Sequence, residues 1–220
     1  MYLKTDGDVV ENERNTQMDI DRMLETTGLG KDAEIIDLCC GQGRHSLELA
    51  RRGFTNVTGI DRSRYLVRLA RRRAQKSNRT VAFREGDARK FRFTPASVDC
   101  VSLFGNSFGY FERTEDDLAV LRTVRRVLKP SGQIMLDLVD GEWMRQNYEP
   151  RSWEWIDQGH FVCRERALSS DQHRLISREV VTHVEKGVIA DQFYAERLYT
   201  ADEIRALLTK SGFVYVRRED

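Results

Sequence analysis

Residues Ile35 to Gly53 read IIDLCCGQGRHSLELARRG, and this stretch constrains the fold more than any other. A short apolar run without alternation suits a strand buried on both faces, as in a parallel sheet. Two glycines follow, and RHSLELARRG then carries apolar residues at helical intervals up to Gly53. Strand, glycine turn and helix in that order make the first half of a βαβ unit. The alternation recurs through the first 140 residues. NVTGID, TVAFREGD, SVDCVSLFG and QIMLDLV are predicted strands two to five. SRYLVRLARRRAQK, capped by Ser63, and EDDLAVLRTVRRVL, closed by KPSG, are predicted helices. A further helix is expected over NTQMDIDRMLETTGL, stopping at Gly28. The expected fold is α/β, a doubly wound, mostly parallel sheet flanked by helices.

The pattern changes after Gly141. HFVCRERAL, HRLISREVVTHV and VIADQFYAERLY alternate with period two across the short turns SSDQ and EKG. They predict an antiparallel meander with one polar face. TADEIRALLTKSGF returns to helix, with Thr200 and Glu203 spaced as a capping box. A small antiparallel β cap is thus inserted before the last helix. Residues 1–140 and 200–220 are expected to form one α/β domain, and 141–199 the cap over its substrate site. A chain of 220 residues has room for both.

Charge and composition exclude several classes. The 36 basic and 35 acidic residues leave a formal charge of +1, so no global field draws the chain to nucleic acid or membrane. No apolar run approaches the ~18 residues of a membrane span, and MYLKTDGDVVENERN is too polar for a signal peptide. Cys39, Cys40, Cys100 and Cys163 contain no C-x-x-C pair, so neither a disulfide framework nor a zinc site is expected, and the expected compartment is the cytoplasm. The seven basic residues between Arg62 and Lys76 are read as a solvated helix face in preference to an RNA-binding stripe.

The chemistry gathers at the first turn. Gly41 and Gly43 let a ligand approach bare backbone. Ser46 stands where a dinucleotide fingerprint has its third glycine, which weakens a hydride-transfer reading. The Asp37 carboxylate is a poor neighbour for a pyrophosphate but a good one for a ligand with an ammonium and a sulfonium, such as S-adenosylmethionine (SAM). Asp61 ends strand two, where a carboxylate takes ribose hydroxyls, and Asp87 in EGDAR is placed near the adenine. Arg44 and His45 lie at a helix N-terminus, where a carboxylate can be held.

The ordered set D-x-C-C-G-x-G, Asp61, GDA, FGNSFGYF and LKPSG resembles the class I SAM-dependent methyltransferases. The resemblance is close over residues 30–140 and looser elsewhere, and is nearest to small bacterial enzymes with a three-stranded antiparallel cap. It implies that the Gly41–Gly43 turn contacts the methionine part of SAM, that Asp61 takes the ribose, and that Asp87 with Ala88 takes the adenine. It also implies that Phe104, Gly105 and Asn106 flank the sulfonium and that Tyr2 and Tyr110 close over the cofactor. With Asp37, Cys39, Arg44, His45 and Arg62 these complete the expected cofactor set. The sequence departs from many relatives in its CCG, where Cys39 brings a side chain to a position they leave to glycine. Asn106, Ser107 and Tyr110 after strand four, and His160, Tyr194 and Glu196 on the cap, are the acceptor-site candidates. Tyr110, His160 and Tyr194 are the catalytic expectations, and no metal cluster is expected.

The expected reaction moves a methyl group from SAM to a nitrogen, or next an oxygen, of a small molecule and leaves S-adenosylhomocysteine. Alternatives are an RNA methyltransferase docking through the basic helix, and a SAM-binding module without transfer. The expected partner is a small-molecule acceptor, with no nucleic acid and no membrane, for a monomer or homodimer. The resemblance further implies seven strands, the last inserted between strands five and six. FVYVRRE, Phe213 to Glu219, is then strand six, and no residues remain for a seventh. A sequence truncated relative to the natural chain, or a gap filled by a partner or a rearranged strand, is the resulting expectation.

Overall fold

The computed structural model describes residues 13–218. Five parallel strands, β1 (Ile35–Leu38), β2 (Val57–Asp61), β3 (Ala82–Glu85), β4 (Val98–Leu103) and β5 (Leu128–Leu136), form a sheet of order β3-β2-β1-β4-β5. The order reverses between β1 and β4, the switch point where open α/β sheets bind ligands beyond their carboxyl ends.

Side-chain alternation along β1 assigns the two faces. Ile35 joins Ile20 and Met23 of α1 (Glu13–Thr27) and Leu49 of α2 (Arg44–Arg51) in one core. Ile36 and Leu38 join Leu121 and Val124 of α4 (Thr114–Val127) and Leu208 of α6 (Ala201–Lys210) in the other. Val67, Ala70 and Ala74 of α3 (Arg64–Lys76) pack on Phe83. Covered on both faces, the central strands β1, β2 and β4 are buried almost throughout, whereas the edge strands β3 and β5 expose part of their length. Ser63 accepts the Leu66 N–H at the start of α3, and Thr200 with Glu203 closes a reciprocal capping box on α6.

The second sheet is antiparallel, of order β6-β7-β8-β9, and lies before the last helix. Its strands are β6 (Arg151–Trp155), β7 (His160–Leu168), β8 (Arg174–His183) and β9 (Gly187–Arg197). Three strands were expected, and the fourth, RSWEW, is too short for its alternation to register in sequence. A seven-residue helix, α5 (Gly141–Asn147), joins the sheets, with Asp140 accepting the N–H groups of Glu142 and Trp143.

Two further expectations are corrected. KPSG does not merely close α4. It lies inside β5 as a bulge, because the ladder passes from Val98↔Leu128 directly to Cys100↔Gln133. Phe213 to Arg218 form no strand, and among the described residues β5 is paired on one side only. Phe213 and Val216 pack on the α4–α6 core while Val214 and Tyr215 stand in solvent. High β propensity alone does not make a strand: the segment packs by its side chains without joining the open edge of β5.

Candidate active site

The glycine turn is tied down by the acids around it. Asp37, buried in β1, accepts both the backbone N–H of Ser46 at 3.1 Å and its hydroxyl at 2.5 Å. The residue that breaks the dinucleotide fingerprint is therefore the partner of the buried acid. Asp61, at the end of β2, accepts the Gly41 N–H at 2.9 Å through one oxygen and the Ser63 N–H at 2.7 Å through the other. Burial raises the carboxyl pKa of both Asp37 and Asp61.

Cys39 has φ 63°, the left-handed conformation that favours glycine, so the sequence departure falls where backbone geometry would have chosen otherwise. Burial, with Asp61, Asp37 and Asp87 nearby, pushes its thiol up to about 12. The same three carboxylates thus surround the start of the turn. Asp87 is held by the Arg89 guanidinium, which brings it down to about 2, against a smaller opposing effect of burial. Arg89 also reaches Asp116 at 3.0 Å and lies over the Phe111 ring at 4.5 Å. Ala88, next to Asp87, is buried, whereas Arg62, next to Asp61, is exposed.

Arg44 and His45 do hold a carboxylate, but it is the chain's own. Asp19 of α1 lies 2.9 Å from His45 Nε2 and 3.3 Å from an Arg44 nitrogen. The His45 ring packs on Phe104 at 4.3 Å between centroids, and a second Arg44 nitrogen lies 3.4 Å from where a Cβ on Gly105 would be. Helix α1, the glycine turn and the loop after β4 are locked together by this group. No local sequence signal could have matched Asp19 to residues 25 and 26 positions later.

The loop after β4 meets the antiparallel sheet at the carboxyl edge. Asn106, at φ 51°, donates its side-chain N–H to Glu196 and accepts the Val139 N–H at 3.2 Å. Tyr110 donates to the same Glu196 oxygen at 3.4 Å, and its ring is 6.2 Å from that of Tyr194. Ser107 turns back to the Phe104 carbonyl. Glu196 is buried, and desolvation raises its pKa in spite of the two donors. Behind it, Asp117 of α4 accepts Tyr199 at 2.7 Å and Arg197 at 3.2 Å, and Arg197 donates its backbone N–H to Gly109 at 2.9 Å. Tyr110, Tyr194, Asn106 and Glu196 are thereby brought together.

His160 is not among them. It pairs with His183 at the far end of the sheet, nine residues along β8 from Arg174, which is roughly 30 Å by strand rise. There it binds Asp157 at 3.0 Å and packs edge-on against His183. Tyr2 lies outside the described residues.

Residues 35–132 match the methyltransferase domain family. Over that stretch, a little under half of its length, the chain is similar to the class I SAM-dependent methyltransferases. The YqeM protein of Bacillus subtilis, named as a methyltransferase without a stated substrate, is 26% identical over 188 residues, 84% of this chain and 75% of that one. The cypemycin N-terminal methyltransferase of a Streptomyces species is 34% identical over 119 residues, and the match spans 54% of this chain and about half, 47%, of its length. The SAM-bound structure of CalS10, an amino pentose methyltransferase from Micromonospora echinaspora, superposes with a TM-score of 0.68 at 20% identity, covering 92% of this chain and 84% of that one.

Beside the buried Val162, Leu175 and Val181, the cleft-facing side of the antiparallel sheet carries a connected set of polar side chains. Arg164 bonds Glu179 at 2.9 Å and Glu154 at 2.5 Å, Gln192 donates to Glu179 at 2.9 Å, and Tyr194 bonds Ser177. Among the described residues no group of three metal-ligating side chains is placed to hold an ion, and no helix is long and apolar enough to cross a membrane.

Proposed function

We propose that this methyltransferase moves the methyl group of SAM to an amine nitrogen of a small, polar acceptor bound between the loop after β4 and the antiparallel sheet. The observation that carries the reading is Glu196, a buried carboxylate where that loop meets the sheet, oriented by Asn106 and Tyr110.

The acidic ring around Cys39 and the open turn at Gly41 suit a cationic cofactor that needs close backbone approach. On this reading Asp61 takes the ribose, Asp87 and Ala88 the adenine, and the turn with Arg44 the methionine end, while Phe104 to Asn106 flank the sulfonium. Bound SAM supplies an already activated methyl group. The chain's residues therefore mainly align the acceptor, an effect worth several kcal/mol. Burial raises the proton affinity of Glu196, which accepts a proton from the acceptor's ammonium and frees the nitrogen lone pair. Tyr110 and Tyr194 wall that position, and residues 141–199 serve as the cap on an α/β domain of residues 1–140 and 200–220.

One similar protein is named an N-terminal methyltransferase, and a solved structure of the same fold is named a sugar N-methyltransferase, which supports nitrogen over oxygen. Docking of RNA on α3 finds less support, since Arg64 pairs with Glu85 and Arg71 with the Phe83 carbonyl.

The test begins with a calorimetric titration of SAM, followed by a screen of small amines, phenols and RNA with methyl-labelled SAM. Label transferred to an amine, with a rate that falls in Glu196→Gln, is the expected result. Transfer confined to hydroxyl acceptors or RNA would overturn the reading.

A further inference from the structure

The antiparallel sheet turns polar side chains to the cleft and a different surface outward. Its register puts Trp153, Trp155, Phe161, Ile176, Val188 and Phe193 together on the outer face. Trp153, Trp155 and Phe193 are 69%, 56% and 71% exposed, so three large aromatic rings stand largely in water. Four strands at ~4.8 Å and nine residues at ~3.3 Å span roughly 19 by 30 Å, so the whole face, its rings and the charged Arg151, Glu165, Arg178 and Asp191 together, offers about 570 Å² before side-chain relief is counted. Side-chain relief brings a face of this size toward the roughly 800 Å² that each partner contributes to a standard interface.

The charged residues on this face point to its occupant. Arg178 bonds Asp191 at 2.7 Å and lies 3.7 Å from Glu165, and Arg151 lies 3.4 Å from Glu165. Two cations and two carboxylates cancel, and each is paired within the sheet. A nucleic acid or anionic membrane finds no net positive field here, and a strongly charged protein finds no complement. An identical face does match. It is apolar in the same places, its charges are self-paired, and two twisted sheets of one kind stack about 10 Å apart with their strands nearly aligned.

We propose that this outer face packs on the same face of a second copy about a two-fold axis, making an isologous eight-stranded sandwich. The opposite face carries Tyr194 and Glu196, so pairing braces that wall from behind.

Light scattering and sedimentation equilibrium on the unaltered protein test the proposal. The expected mass is twice the 25.6 kDa of the chain. Dilution should halve the mass and, over the same concentrations, shift tryptophan emission to the red as Trp153 and Trp155 meet water. Phe193→Glu, a change at an exposed position, should weaken self-association by about thirtyfold or more while leaving circular dichroism and SAM affinity unchanged. If that variant fails to fold, the dilution experiment decides alone. A monomer at the highest soluble concentration overturns the proposal, as does a dimer indifferent to both Phe193→Glu and Trp153→Glu. Partition of the monomer onto anionic vesicles overturns it in favour of a lipid surface.

Discussion

Replacing Gly43 with alanine should damage both the fold and the cofactor turn. Gly43 caps α2 at φ 80° and ψ 23°. A Cβ there would lie 2.5 Å from Cζ and 2.6 Å from Cε1 of Phe83, and 3.1 Å from Cβ of Ala70. The left-handed conformation costs a non-glycine residue about 1 kcal/mol or more. Forcing a methyl against a buried ring adds about 1–3 kcal/mol, and the stiffer unfolded chain returns up to about 1 kcal/mol. The net loss is about 2–3 kcal/mol. Urea unfolding of Gly43→Ala, Phe83→Leu and the double variant would measure it. Because the side chains touch, the double variant should lose less than the two single losses added together, by about 1 kcal/mol. The steric account fails if Gly43→Ala unfolds within about 0.5 kcal/mol of the wild type, or if the two losses simply add.

Three further outcomes are expected. Asp61→Ala should weaken SAM binding by more than about 1 kcal/mol, because charge-assisted hydrogen bonds are worth roughly 1.5–3 kcal/mol each; an unchanged dissociation constant in calorimetry would remove Asp61 from the ribose. Glu196 has a folded pKa raised above 4.5, so its contribution to stability is fully present below that value and is lost as pH rises through the folded pKa. Glu196→Gln should therefore gain stability relative to the wild type as pH climbs from below 4.5 to neutrality, while losing transfer rate by about a hundredfold; a stability difference that stays flat with pH would count against a buried ionised group. His160→Ala, far from the cleft, should leave the transfer rate unchanged, and a large loss would mean that the far end of the sheet takes part in the reaction.

Local signals carried most of the parallel sheet. Ser63, the Thr200–Glu203 box and the glycine turn act within a few residues of themselves, and each appears where its spacing implied. The acceptor-side geometry depends on meetings across the chain. Asn106 finds Glu196 ninety residues away, and Asp19 meets His45 only because α1 folds over α2. His160 looked chemically apt, but its position along β7 is fixed by the register with β8, which no composition reveals. RSWEW and FVYVRR show the limit from both sides: a short strand forms on the edge of β7, and a more β-prone segment stays unpaired although β5 has an open edge.

The two-faced antiparallel sheet also limits how its genes can drift in length. One residue inserted into the middle of β8 would exchange the inward Ser177 and Glu179 for the outward Ile176 and Arg178 over the rest of the strand. Substitutions alter one side chain, whereas an insertion inverts a whole face. The chain itself carries one such extra residue, Ile189, between the pairs Val181↔Ala190 and Thr182↔Val188. It sits near the hairpin tip, where few residues lie beyond the shift. Related chains should therefore vary in length at the turns around Ser169–Gln172 and Lys186, and keep strict residue counts from Leu175 to Val181 and from Ala190 to Glu196.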